Sequence, residues 1–225
     1  AHHAARMPNL ALFTGGGFPF TRMPDLADTA VLVGENITAG EVEAFLQLMG
    51  QFGNSTGVPT TRLTVMRSVQ PSRMADKDIL VIGRSDLANH QALFEKSPVR
   101  IRERRLEVTH LTPLERFFGW FTPGGRHEAD EATLAVSSAS GFEGVTSFAS
   151  PFTKDRHVVA VLSSQTSTLP QMTSLLPTAD AKAQIRGDLV IRNGDEFKAF
   201  QVKPTKWRGD LPWWLAIGYW FSQRP

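Results

Sequence analysis

Cysteine is missing from the chain of 225 residues. Its absence excludes disulfides, thiolate metal ligation and a cysteine nucleophile. It suits an oxidising compartment, where stray thiols are a liability. Charge of one sign is also scarce: 24 Lys and Arg stand against 22 Asp and Glu, a formal net charge of +2. A balance this even gives no argument for a nucleic-acid partner, although the isoelectric point is basic at about 9.2. No like-charge block occurs. The Arg-rich stretch 100–105 is broken by Glu103, with Glu107 close behind, and reads as an alternating solvated strand. No run reaches the about 20 apolar residues needed to cross a bilayer, and no secretory leader pattern is present. With 41% hydrophobic and 20% charged residues, the composition is that of a globular protein.

Catalytic signatures are missing too. Gly15-Gly-Gly17 invites a phosphate-loop reading, but Phe18-Pro19-Phe20 follows where a helix should begin, and the spacing matches no nucleotide fingerprint. A turn carrying buried phenylalanines is expected instead. His127-Glu-Ala-Asp-Glu131 opens like a zinc-helix motif but lacks the second histidine, so a solvated loop is expected. His90, His110 and His157 stand isolated, and Ser137, Ser138 and Ser140 form no nucleophile elbow. These readings predict no enzyme activity, no cofactor and no metal.

What the chain does contain is an alternation of strands and helices. Thr29–Val33, Arg62–Met66, Asp78–Gly83, Ala132–Val136 and His157–Leu162 are short apolar runs that read as five buried strands. Thr38-Ala-Gly-Glu41 is a capping box, and Val42, Phe45, Leu46, Met49 and Phe52 behind it define a helical core face. A helix starting at Ser85 or Asp86 is anchored by Leu87, Leu93 and Phe94, and another follows Ser163–Ser167 through Met172, Leu175 and Leu176. The pattern predicts an α/β fold: a flavodoxin-like, doubly wound, mostly parallel five-stranded sheet. Asp188–Arg192 and Glu196–Val202 flank Asn193-Gly194 and predict an appended hairpin. Val99–Leu111 and the apolar helix expected over Thr112–Phe121 are insertions, with Phe117–Phe121 a candidate contact patch. The loop Gly34–Asn36, where such a fold would hold a flavin phosphate, carries Glu35 and no hydroxyl cluster. A competing reading keeps a small-ligand or enzymatic site at the carboxyl edge of the sheet, lined by Gly34–Asn36, Gly83–Asp86 and Ser163–Thr166.

The last nineteen residues hold four of the five tryptophans and the single tyrosine. Asp210 can cap a helix and Pro212 suits its first turn. From Leu211 to Phe221 no charged side chain interrupts the run, so the segment is apolar nearly all round. It is too short to span a bilayer, and Trp and Tyr favour the headgroup level. The expected division is residues 1–6 as a tag or linker remnant, 7–206 as one domain, and 207–225 as an interfacial amphipathic helix. The contact residues expected on that helix are Trp207, Trp213, Trp214, Ile217, Tyr219, Trp220 and Phe221. About 20 further apolar residues are expected beyond Pro225, forming a membrane anchor.

Several motifs recur in one family's order: Met7-Pro-Asn-Leu10, Gly17-Phe-Pro-Phe-Thr-Arg22, Asp25-Leu-Ala-Asp-Thr29, Phe45–Gly53, Gly187-Asp-Leu189 and Gly209-Asp-Leu-Pro-Trp-Trp214. With them the chain resembles the periplasmic B subunit of bacterial cellulose synthase over nearly its whole length. The resemblance is to that subunit's second flavodoxin-like domain, which in the family carries no flavin. It implies a non-catalytic role as a periplasmic scaffold or guide for the emerging glucan. It also implies tethering to the inner membrane and partnership with the membrane-embedded catalytic subunit, with cellulose and other copies of the chain as further partners. Members of the family are often labelled cyclic-di-GMP binding. The PilZ pattern for that ligand pairs R-x-x-x-R with [DN]-x-S-x-x-G, and Arg100 and Arg104 supply the first half only. Ligand binding is therefore not carried over.

Overall fold

Four stretches of chain, residues 4–102, 105–108, 125–138 and 141–209, are described by the computed structural model. Strand β2 (Thr29–Val33) is buried at every position, as an apolar run inside a parallel sheet should be. It pairs in parallel with β3 (Thr64–Met66) on one side and β4 (Asp78–Arg84) on the other. β4 in turn pairs in parallel with β8 (His157–Ser163). These four strands form the doubly wound half expected from the sequence, with the reversal of strand order falling between β2 and β4.

The other half of the sheet corrects the expectation of five mostly parallel strands. β7 (Glu143–Ala149) runs antiparallel to β8 and to β9 (Leu189–Asn193), and β10 (Glu196–Phe200) closes the edge. The result is a seven-stranded mixed sheet of order β10-β9-β7-β8-β4-β2-β3. The 193–194 hairpin is thus built into the sheet rather than appended to it. β7 escaped the sequence reading because Gly144, Thr146 and Ser147 interrupt its apolar character, although all three are buried.

Ala132–Val136, expected as a strand, lies inside helix α5 (Gly125–Ser138). Alternation would have buried Leu134 with Ala132 and Val136. Instead Ala132 and Val136, one helical turn apart, are buried while Leu134 is 69% exposed. The His127–Glu131 stretch belongs to the same helix and is not a loop. Residues 4–6, set aside as a tag or linker, begin β1 (Ala4–Met7), which pairs antiparallel with β11 (Lys206–Gly209). The expected helix over 112–121 falls outside the described residues. A separate antiparallel ribbon joins β5 (Val99–Arg102) and β6 (Arg105–Val108).

Side chains alternate across the central sheet and build two cores. Ala30, Leu32, Ile79, Val81, Val158 and Ala160 face α3 (Pro71–Met74), α4 (Gln91–Phe94) and α5. Val31, Val33, Leu80, Ile82, Val159 and Val161 face α1 (Leu10–Gly16), α2 (Ala39–Thr56), α6 (Leu169–Leu175) and α7 (Ala179–Gln184). The helix expected from Ser85 is split into a 3-10 turn over Ser85–Asn89 and the one-turn α4. The α2 core face is rotated from the one expected: Ala44, Leu48, Met49 and Phe52 are buried, while Val42 and Leu46 are 39% and 60% exposed.

Candidate functional site

Ligands in open α/β sheets bind at the carboxyl ends of the strands where strand order reverses. Here that place lies between Gly34, after β2, and Gly83, near the end of β4. The capping box expected at Thr38 forms there. The Thr38 hydroxyl accepts from the Glu41 amide at 3.3 Å, and Glu41 Oε2 accepts from the Thr38 amide at 2.7 Å and its hydroxyl at 2.9 Å. Glu41 is 2% exposed. Its other oxygen, Oε1, occupies the space beside Gly83, where a Cβ would overlap it. Gly83 has φ 151°, a conformation L residues rarely adopt.

The N-terminus of α2, which would draw an anion, is covered as well. A Cβ on Gly40 would run into the carbonyl oxygen of Thr166, so backbone of the β8–α6 connection rests directly on the helix end. Two hydroxyls at this edge, those of Ser163 and Ser164, are engaged by the chain itself. Ser163 Oγ donates to the Gln165 carbonyl at 2.8 Å and contacts Thr168 Oγ1 at 2.9 Å, and Ser164 Oγ accepts from the Phe142 amide at 2.7 Å. The three stretches Gly34–Asn36, Gly83–Asp86 and Ser163–Thr166 do converge, around the chain's own carboxylate.

The opposite edge of the sheet holds a network of charges. Asp78, 1% exposed, accepts from the His157 amide at 2.8 Å, from Arg22 at 2.9 Å and from Arg156 at 3.2 Å. Arg156 also bonds Asp28 at 3.1 Å. Burial raises the Asp78 carboxyl above its ordinary value, against the pull of the His157 amide and the two guanidinium groups. Asp25 is held below its ordinary value, chiefly by the Ala27 amide. His157, isolated in the sequence, thus sits buried beside this network. Arg22 and Asp28 of the two N-terminal motifs brace the starts of β4 and β8, while Asp25 holds Arg62 just ahead of β3. The turn expected at Gly15–Gly17 is shorter: Gly15 and Gly16 lie in the last turn of α1, Gly17 ends it with φ 74°, Phe18 is half-buried, and Phe20 is buried against Phe13 and Phe52 at ring separations of 6.0 and 5.6 Å.

A third cluster lies at the root of the aromatic C-terminal stretch. Asp188 is fully buried, and its two carboxylate oxygens accept from the amides of Val202 and Lys203, each at 2.7 Å. Glu128, on α5, accepts from the Gln201 amide at 2.6 Å. Three consecutive amides leading toward β11 are therefore held by two carboxylates. Burial pushes the Asp188 carboxyl up to about 7, against the two amide bonds and the charge of Lys203. Gly187 has φ 72° and packs its Cα on the Phe200 carbonyl, which excludes any larger residue. Sequence reading missed this cluster, and the motif Gly187-Asp-Leu189 was its one visible trace. Of the expected contact residues, Trp207 lies on β11 rather than at the start of a helix. Trp213, Trp214, Ile217, Tyr219, Trp220 and Phe221 fall outside the described residues.

Fold and site together define an α/β domain whose customary ligand crevice is filled by its own glutamate. The chain belongs to the bacterial cellulose synthase B-subunit family, since residues 3–161 match the family described as "Cellulose synthase BcsB, second FD domain". It is 31% identical over 229 residues to "Cellulose synthase 2" of Novacetimonas hansenii, covering 100% of this chain and 14% of that protein. It is 29% identical over 228 residues to a "Cyclic di-GMP-binding protein" of Komagataeibacter xylinus, covering 100% of this chain and 28% of that one. A protein of the same name from Pseudomonas fluorescens is 29% identical over 229 residues, covering 98% of this chain and 30% of that one. The chain thus spans 14% to 30% of the length of these relatives.

Proposed function

We propose that the chain is a non-catalytic module of a bacterial cellulose synthase complex, standing at the periplasmic face of the inner membrane. In this reading it supports the membrane-embedded catalytic subunit and scaffolds secretion of the glucan. Its contact with membrane or partner runs through Trp207, Trp213, Trp214, Ile217, Tyr219, Trp220 and Phe221. The observation that carries the reading is membership of the B-subunit family across residues 3–161. The crevice filled by Glu41 supports it, because a ligand at the carboxyl edge would have to displace a buried, hydrogen-bonded carboxylate. Aromatic side chains with an apolar body and a polar tip suit the headgroup level, which supports the tail as the contact.

The test is replacement of Trp213, Trp214 and Trp220 by alanine. The variant keeps its cooperative unfolding but loses binding to phosphatidylethanolamine–phosphatidylglycerol vesicles, and lowers cellulose output when placed in the full-length subunit. Unfolding of the variant, or undiminished vesicle binding and output, sinks the reading. The competing reading, a small-ligand or enzymatic site at the carboxyl edge, is tested by tryptophan fluorescence titration with nucleotides and cello-oligosaccharides. A saturable change that Glu41→Gln alters supports the competitor. The ligand in the relatives' name, cyclic di-GMP, belongs in the same titration. Arg100, from the half-pattern, donates instead to the Glu95 carbonyl.

A further inference from the structure

Gly187 and Asp188 join both ends of the described chain. The Gly187 carbonyl accepts from the Leu10 amide at 2.7 Å, at the first turn of α1 just after β1. The Asp188 carbonyl accepts from the Ser147 amide at 2.8 Å and the Thr146 hydroxyl at 3.1 Å, both on β7. Its amide donates to the Phe200 carbonyl at 3.0 Å, at the end of β10. With the main chain anchored on three sides, the carboxylate has no freedom to relax away from the Val202 and Lys203 amides. Glu128 reaches the same short segment from α5, a helix whose residues Ala132 and Val136 are buried in the core. Three residues past Lys203, strand β11 begins, and its pairing with β1 puts Gly209 opposite Ala4.

We propose that Asp188 and Glu128 form a carboxylate clamp that holds residues 201–203 and so fixes the position from which β11 starts. The clamp rests on the reading of the stretch from Trp207 onward as the working part of the chain. An ionised carboxylate accepts with both oxygens, whereas a protonated one turns one oxygen into a donor that faces an amide N–H. Protonation of Asp188 therefore weakens the grip on Val202 or Lys203. The charge that acts on it is Lys203 on the held segment; Glu128 on α5 holds the neighbouring Gln201 amide, Arg186 two residues before it in sequence is exposed, and β7 presents Thr146 and Ser147. Burial pushes the Asp188 carboxyl up to about 7, so the grip is expected to change within the ordinary range of pH.

Amide hydrogen exchange on the whole chain tests this. Glu128→Ala, which keeps a good helix former, speeds exchange across residues 201–209 by about tenfold or more, as expected for losing a charged hydrogen bond. Exchange in β2, β4 and β8 stays unchanged. In the parent chain, protection of the Val202 and Lys203 amides, corrected for intrinsic rates, rises between pH 5 and pH 8. In Asp188→Asn that rise is gone. Parent-like exchange in Glu128→Ala, an equal acceleration in β4 and β8, or protection flat with pH in the parent each overturns the clamp. Should Asp188→Asn fail to fold, Glu128→Ala and the parent's pH series decide the matter. A clamp that passes alongside unimpaired vesicle binding by the tryptophan variant separates the failure of the interface reading from the failure of this one.

Discussion

Gly83 shows how one side chain decides a site. Its φ of 151° already disfavours a side chain, and a Cβ would meet Glu41 Oε1 and approach Leu87 Cδ1 to 2.8 Å. Gly83→Ala is therefore expected to destabilise the fold by about 2 kcal/mol or more, from backbone strain plus displacement of the buried carboxylate. Urea unfolding reads the loss directly, and a change under 0.5 kcal/mol would show that Glu41 moves aside freely. Glu41 was legible in sequence as the partner of Thr38 in a capping box, because that pairing is local. Its second role, filling the crevice beside Gly83, depends on two strands separated by some fifty residues and left no local trace.

Helix α2 separates pattern from packing. Val42 and Leu46 share helical spacing with Met49 and Phe52, yet the helix turns Ala44 and Leu48 to the sheet. An 18-residue helix this rich in apolar residues offers more than one stripe, and packing against β2, β4 and α6 selects among them. Leu48→Ala is expected to cost about 2–5 kcal/mol as a fully buried leucine, whereas Leu46→Ser stays within about 0.5 kcal/mol. Chemical denaturation of the two variants measures the contrast, and equal losses would mean that the Leu46 face is buried in solution. Helix α5 teaches the same lesson in reverse. Ala132 and Val136 fit both a strand and a helix over five residues, and only the core contacts of α5 choose between them.

At the scale of the whole molecule, Asp188 couples the fold to pH. Its carboxyl is raised in the folded state to about 7, above the unfolded value near 4, so the folded chain binds the extra proton. Stability from this group is full below about pH 4 and is lost as pH rises through about 7. Asp78, also raised by burial, slopes the same way. Thermal unfolding of the parent is expected to show stability falling from about pH 4 to 7, with a shallower slope in Asp188→Asn. An unchanged slope in that variant would assign the dependence elsewhere. The local grip on Val202 and Lys203 is expected to run opposite, strengthening as the carboxylate ionises, so the two measurements report one titration with opposite sign.

The paired ends of the chain are also a property of the whole. Ala4 and Gly209 are neighbours across the β1–β11 ribbon, so the chain enters and leaves the described domain at one place.

By itself the sequence determined the buried parallel strands β2, β4 and β8, the capped start of α2, the 193–194 hairpin and the tryptophan-rich tail. Each rests on contacts within a few residues: apolar runs, a reciprocal cap, a tight turn. The tertiary structure alone decided that β7 enters the sheet antiparallel, that the hairpin completes it, that Glu41 fills the crevice and that Asp188 accepts from the Val202 and Lys203 amides. Those outcomes depend on groups far apart in sequence whose burial is repaid only once the sheet has assembled, so no local pattern carries them.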